Sequence, residues 1–490
     1  MKIDTFGRVS LLALLGALLA FTPLAQSATP PAPEPVIIGE KFTIESKALA
    51  ETRTYVVHTP DYYNNRKDAY PVLVLQDAEN NFAYTSDAVH LLSANGRIPA
   101  MIVVGINNAD RTRDMTPSKP KSGFGGTPWT GPAGGADKFL SFIADELLPT
   151  IDHNYRTRPY RVLIGHSLGG LFAVYALLNR PEVFQGYIIT SPSLWWDDQV
   201  LVKTAQPFFA AHHDLHADIY MSMANEGDTM LGGAWKLSAE LEEAKLPNVR
   251  WQFKRSPEEE HGTIPYISTY AGLQAIFEGY RIADPIALVE EGGLPAFERH
   301  YAQVSKRLGY TVAVPARAYG DTLSELSNRE RFAEAEEVGK KMLEQDPKNT
   351  WALSALAQVA GKQKDDARAI DYLTRVLQLT PGNSRARGLL VNYKVDVDKI
   401  VPSVQLPAKV LARYVGEYRF KDQLTKVTHQ NGNLIAASAF GKCEMRALTQ
   451  TKFYCVDIEL ELQFSKDNSG RVVGMVAEWL DHSDEYKKVK

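Results

Sequence analysis

Gly165-His166-Ser167-Leu168-Gly169 lies between the apolar run RVLI and the stretch LFAVYALLNR, whose apolar residues suit a buried helix. Packing alone would place neither a serine nor paired glycines there. A G-x-S-x-G turn between a strand and a helix is a nucleophile elbow: the backbone turns sharply at the serine, and strand and helix approach too closely for side chains two positions to either side. The Ser167 hydroxyl is then lifted clear of the sheet, at the positive end of the following helix. A serine alcohol is a poor nucleophile near neutral pH, so it needs a general base, and the base needs a third group to align it. After such an elbow the acid and the histidine follow in the chain, in that order.

Eleven histidines are present, but few lie downstream of Ser167 within the same segment. His212, His213 and His216, in AAHHDLHAD, read as a solvated helix end, since no further ligand cluster accompanies them. His261 is the expected base: it sits in a polar loop after the last strand and just before a helix, where it can hang over the elbow. His166 reads as a packing residue. Glu226 and Asp228, at the end of ADIYMSMANEGD, compete for the acid; Glu226 is nearer the strand end and is preferred, with Asp228 capping the next helix. Glu258, Glu259 and Glu260 read as a solvated charge run. The oxyanion needs two N–H donors, expected from Leu168 and from the first turn of LQDAENNF, at Asp77 or Ala78.

Phe82, Tyr84, Trp129, Trp195 and Trp196 all follow strand ends, on the side where open α/β sheets bind ligands, which points to an aromatic substrate. The loop SKPKSGFGGTPWTGPAGG is either a wall of the site with Trp129 reaching in or a disordered insertion. Arg113 either meets an anionic group of the substrate or pairs with Asp114; the pair is preferred.

The elements that must position these residues are legible from periodicity. Residues 37–283 alternate short β-branched runs (TRTYVVHTP, YPVLVLQDA, PAMIVVGIN, YRVLIGHS, GYIITSPS, ADIYMSMAN, VRWQFKRSP) with amphipathic stretches such as ADKFLSFIADELLPTI and AWKLSAELEEAK. That alternation predicts an α/β fold, a mostly parallel sheet with helices on both faces. Over 316–392 the pattern becomes helix after helix, and EQDPKN is echoed by QLTPGN with Pro347 and Pro381 in the same register. The interval resembles a tetratricopeptide repeat of one and a half to two units, expected to pack on a neighbour and open to a role as spacer or protein-binding surface. Residues 405–490 read as a small antiparallel β domain with hairpin signals at Asn431-Gly432 and Asp467–Gly470.

Lys2 and Arg8 precede an apolar run from Leu11 to Phe21, and PLAQSA has small residues where a signal peptidase cuts, so residues 1–28 read as a secretory signal cleaved near Ser27. The expected location is the periplasm or the cell exterior, without stable membrane insertion. In that oxidising setting Cys443 and Cys455, the chain's two cysteines, are expected to bridge neighbouring strands. The net charge of −4 and the absence of a dense basic block argue against a nucleic-acid partner.

The motifs VLVLQDAENNF, GINNADRTRDMTP, GHSLGG, SPSLWW and EEEHGTIPYISTYAGL, in that order, together resemble the "putative esterase" family of α/β-hydrolases, which includes siderophore esterases. The β-rich tail is similar to small domains appended to bacterial secreted hydrolases. The family resemblance implies hydrolysis of a small-molecule carboxylic ester through an acyl-enzyme, with no metal or organic cofactor, and with Ser167 as nucleophile and His261 as base. It leaves the acid, Glu226 or Asp228, and the acyl group open. A docking protein with vestigial catalysis and an acyltransferase are the competing functions.

Overall fold

The computed structural model describes residues 35–489, apart from 62, 66, 123–126, 440, 457 and 480–482. The expected secretory signal at 1–28 lies outside the described residues. The central sheet comprises β1 (Glu40–Ser46), β2 (Glu51–His58), β3 (Tyr70–Leu75), β4 (Ile102–Ile106), β5 (Thr157–His166), β6 (Gly186–Thr190), β7 (Ala217–Met223) and β8 (Val249–Arg255). Its order is β1-β2-β4-β3-β5-β6-β7-β8. The β1–β2 and β2–β4 pairs are antiparallel and the rest are parallel.

Strands β3, β4, β6 and β7 are buried at every position, because helices cover both faces. Successive side chains alternate between the two apolar layers: Val72 and Val74 enter one, Leu73 and Leu75 the other. All seven expected strands are present. The eighth, β1, went unread because its residues EKFTIES are mostly exposed and it leans on β2 as an edge.

The helices of this segment are α1 (Ala78–Ala94), α2 (Arg111–Met115), α3 (Ala136–Ser141), α4 (Leu148–Asn154), α5 (Leu168–Asn179), α6 (Trp196–Ala211), α7 (Asp228–Ala244) and α8 (Ile264–Ile276). A further helix, α9 (Pro285–Leu308), follows and was not anticipated. Gly292, Gly293 and Pro295 interrupt its pattern, and the backbone leaves helical geometry at the two glycines, as such breakers dictate. It joins two cores: Tyr301, Val304 and Leu308 pack on one layer of the sheet, while Ile286, Val289 and Phe297 pack on the helical segment.

That segment comprises α10 (Ala316–Asn328), α11 (Phe332–Gln345), α12 (Thr350–Lys362), α13 (Asp366–Leu379) and α14 (Ser384–Asn392). The repeat shows in the caps: the Asn349 side chain accepts from the Ala352 N–H, and Asn383 accepts from the Ala386 N–H. A Cβ on Gly320 would fall 1.6 Å from the Trp351 ring, so α10 and α12 meet where any larger residue would force the indole to shift. Tyr454 of the C-terminal domain enters the core of the last repeat helices.

The C-terminal domain comprises β9 (Gly416–Phe420), β10 (Gln423–Gln430), β11 (Asn433–Ser438), β12 (Gly441–Ala447), β13 (Lys452–Cys455), β14 (Glu461–Lys466), β15 (Val472–Glu478) and β16 (Ser483–Lys488). Sequential antiparallel pairing closes them into an eight-stranded barrel, so each of these strands is paired on both sides. A disulfide joins Cys443 of β12 to Cys455 of β13.

Candidate active site

Ser167 occupies the turn between β5 and α5 with φ 61° and ψ −115°, a conformation that costs a non-glycine residue energy and persists only where its surroundings enforce it. They do so through hydrogen bonds: the Ser167 N–H donates to the Thr190 carbonyl and the Ser193 N–H donates to the Ser167 carbonyl, both at 3.0 Å. The flanking glycines are sterically required. A Cβ on Gly165 would lie 2.1 Å from the Gly169 carbonyl oxygen, and one on Gly169 would lie 2.8 Å from Gln76 Oε1. The Ser167 hydroxyl is 3.3 Å from that of Ser193.

His261 lies in the loop between β8 and α8. Its Nδ1 is 2.5 Å from Glu226 Oε1 in the loop between β7 and α7. Backbone bonds tie the two loops together: Asn225 N–H to the Glu259 carbonyl at 3.0 Å and Ser256 N–H to the Met223 carbonyl at 2.8 Å. Burial would raise the Glu226 carboxyl, but hydrogen bonds from His261 and Ser191 outweigh it and hold the group below its ordinary range. Glu226 is therefore a carboxylate that only accepts, so Nδ1 carries the proton and, in the neutral imidazole, Nε2 is the nitrogen with the lone pair. Asp228 is exposed in the first turn of α7, and the carboxylate that reaches His261 is Glu226.

The ring of His166 lies against that of His261, with centroids 4.5 Å apart. Burial, then the His261 and Arg111 charges, push His166 down to about 4, so it stays neutral near pH 7. Its Nε2 has no hydrogen-bond partner.

Leu168 is the first residue of α5 and Ala78 the first of α1, so their N–H groups have no partner within the helix. Asp77 precedes α1 with φ 55°. Its carboxylate is buried and gripped by Arg111, Nε to Oδ1 at 2.7 Å and Nη2 to Oδ2 at 3.1 Å, while Asn108 donates to Oδ1 at 2.6 Å. Arg111 Nη2 also donates to the His166 carbonyl at 2.9 Å. One guanidinium thus pins the α1 turn to the elbow and balances a carboxylate that would otherwise repel a developing oxyanion.

Three of the residues expected to meet substrate are engaged elsewhere. Trp196 is 1% exposed and its indole N–H donates to the Ser118 carbonyl, so it is core. The Arg113 guanidinium binds Asp114 and Glu51, both at 2.7 Å, the structural pairing that was preferred. The Phe82 ring fills the space over Gly39 and Gly105. Trp129 and Trp195 are half-buried and both lean on Trp196, with centroids 5.1 and 5.6 Å away. Tyr84 packs at a tilt against the exposed Tyr266, with centroids 5.3 Å apart.

Sequence reasoning assigned no role to Ser191, Ser193, Gln76 or Arg111. The serines belong to SPSLWW and Arg111 to GINNADRTRDMTP, both noted as motifs; their partners lie on other strands and loops, which spacing does not reveal. Among the described residues no group of three or more metal-binding side chains is gathered, and no helix is long and apolar enough to cross a membrane.

Residues 46–262 match the family described as "Putative esterase", and residues 329–393 match the tetratricopeptide repeat. The chain is 36% identical over 158 residues to a ferri-bacillibactin esterase of Bacillus subtilis, covering 28% of this chain and 53% of the relative. It is 37% identical over 107 residues to a siderophore enterobactin esterase of Emericella nidulans, covering 20% and 35%. The chain thus spans about half or less of the length of these two curated relatives. An IroE-like serine hydrolase from Shewanella oneidensis superimposes with a TM-score of 0.53 at 28% identity, over 63% of this chain and 98% of that one. The segment that holds Ser167, Glu226 and His261 therefore lies within the stretch that matches this esterase family.

Proposed function

We propose that the protein is a serine carboxylic-ester hydrolase that works through an acyl-enzyme. Ser167 Oγ attacks the ester carbonyl carbon as His261 Nε2 takes its proton. The oxyanion is met by the Leu168 N–H and by an N–H of the α1 turn, at Asp77 or Ala78. His261 then protonates the leaving alcohol, and water, activated by the same imidazole, releases the acid. Glu226 fixes the tautomer and stabilises the imidazolium. The observation that carries this reading is the 2.5 Å contact of His261 Nδ1 with Glu226, which leaves Nε2 as the base.

The substrate we favour is an aryl or siderophore-like ester. Two relatives are named for siderophore esters, and Trp129, Trp195, Tyr84 and Tyr266 provide half-buried or exposed aromatic surface. The site is read as periplasmic or extracellular, and the helical repeat as a surface open to a protein partner. The test compares the parent with Ser167→Ala and His261→Ala on p-nitrophenyl esters, a trilactone siderophore, a feruloyl ester and an acetylated sugar, as kcat/KM. Activity in the parent, lost in both variants and highest on aryl or trilactone substrates, is expected. Equal inertness of all three would favour a docking protein, and ester product on adding an alcohol would favour acyl transfer.

A further inference from the structure

We propose that the C-terminal barrel is a second ligand site, separate from Ser167, that takes a compact uncharged aryl or branched-alkyl molecule with one polar end. An eight-stranded barrel is just wide enough either to be filled by its own side chains or to hold one small ligand. This barrel does both, at different levels.

One level is plugged by aromatic rings. Tyr414, which precedes β9, packs on Phe453 and Phe464 with centroids 5.4 and 4.7 Å away, and Phe453 and Phe464 meet edge to face at 5.5 Å. Tyr418 closes on Phe464 at 5.5 Å. At the other level the inward positions are small: Ala436, Cys443 and Ala477 are buried, and with Ser438 and Gly441 they line a cavity of about 350 Å³. Leucine or phenylalanine at 436 and 477 would fill that space and strengthen the core, since unfilled volume is destabilising. The small residues leave room instead, at the lower end of the size range of small-molecule sites.

The lining sets the ligand's chemistry. Leu460, Leu462 and Met475 supply an apolar wall, with Trp479 an aromatic one. The polar groups sit together: Gln423 and Thr425 line the cavity, and the Tyr486 hydroxyl donates to Gln423 Oε1 at 3.2 Å. Among the described lining residues, one cation, Lys442, and one anion, Asp484, face the site. They balance, so no net field selects an ion. The disulfide carried by Cys443 ties β12 to β13 along the wall and holds the cavity's shape without occupying it.

The test titrates the full-length protein with N-phenyl-1-naphthylamine, a neutral aryl probe that fluoresces in apolar surroundings. Saturable binding to the parent is expected, with energy transfer from Trp479 that is lost in Trp479→Phe. Ala436→Phe and Ala477→Phe should each raise Kd by at least about tenfold while p-nitrophenyl ester hydrolysis is unchanged. Thermal melting reports whether each filled variant keeps its barrel, and Ala477→Leu provides a milder filling with a smaller but measurable rise in Kd. Blocking Ser167 with a fluorophosphonate should leave the titration as it was. Absence of saturable binding, equal Kd in parent and filled variants, or loss of binding once Ser167 is blocked would each overturn the proposal.

Discussion

His166 sets its imidazole against that of His261, tilted by 45° with centroids 4.5 Å apart, so the residue beside the nucleophile packs against the proposed base. Two histidines so close can serve one base only if the other stays neutral. Desolvation holds His166 down to about 4, against an unfolded value near 6.5. The unfolded chain therefore binds a proton between those values that the folded chain does not, and stability falls as pH drops from about 6.5 to about 4. His166→Phe should abolish about 2–3 kcal/mol of that acid-induced loss, read as the difference between urea unfolding free energies at pH 7.5 and 4.5.

Glu226→Gln keeps the shape but removes the charge and permits the wrong imidazole tautomer. We expect kcat to fall by about 10²- to 10⁴-fold with little change in melting temperature. Because the carboxyl lies below its ordinary range, it stays ionised above pH 5, so an acid limb of kcat/KM above that pH belongs to another group. Asp228→Asn should be near neutral. Comparable losses in both variants, measured as kcat/KM, would remove Glu226 from its assigned role.

Arg111→Ala leaves the Asp77 carboxylate buried and facing the α1 turn without its cation. Breaking such a pair costs about 3 kcal/mol, and kcat should fall by about tenfold or more. The double variant Asp77→Asn with Arg111→Ala should recover part of both losses, since it no longer buries an unpaired charge. A double-mutant cycle on stability and kcat measures that coupling; strict additivity would show that the two side chains act independently.

Gly165→Ala and Gly169→Ala separate two kinds of crowding. At 165 the new methyl meets backbone, the Gly169 carbonyl, at 2.1 Å; at 169 it meets the Gln76 side-chain oxygen at 2.8 Å. The first should destabilise by more than about 3 kcal/mol and abolish activity, and the second by about 1–2 kcal/mol. Denaturant unfolding and residual ester hydrolysis report both.

The buried strands, the elbow and its downstream histidine were legible because each is local: an apolar run, a pentapeptide, a polar loop before a helix. The closure of β9–β16 into a barrel was not, since alternation marks strands but not which edges meet. The Arg111–Asp77 grip and the Ser193 contact were hidden for the same reason, as each joins residues distant in the chain. Trp196 shows the opposite limit. Its place after a strand end suggested a substrate wall, but the indole turned inward, where Ser118 takes its N–H. Helix α9 escaped because Gly292, Gly293 and Pro295 break the helical pattern, whereas packing against two cores holds the helix together across its kink.

Peptide mapping after fluorophosphonate labelling addresses the proposed nucleophile most directly. The label should land on Ser167 in the parent, at a rate lowered by at least about 10³-fold in His261→Ala. A label on any other residue, or undiminished labelling of Ser167 without His261, would contradict the account.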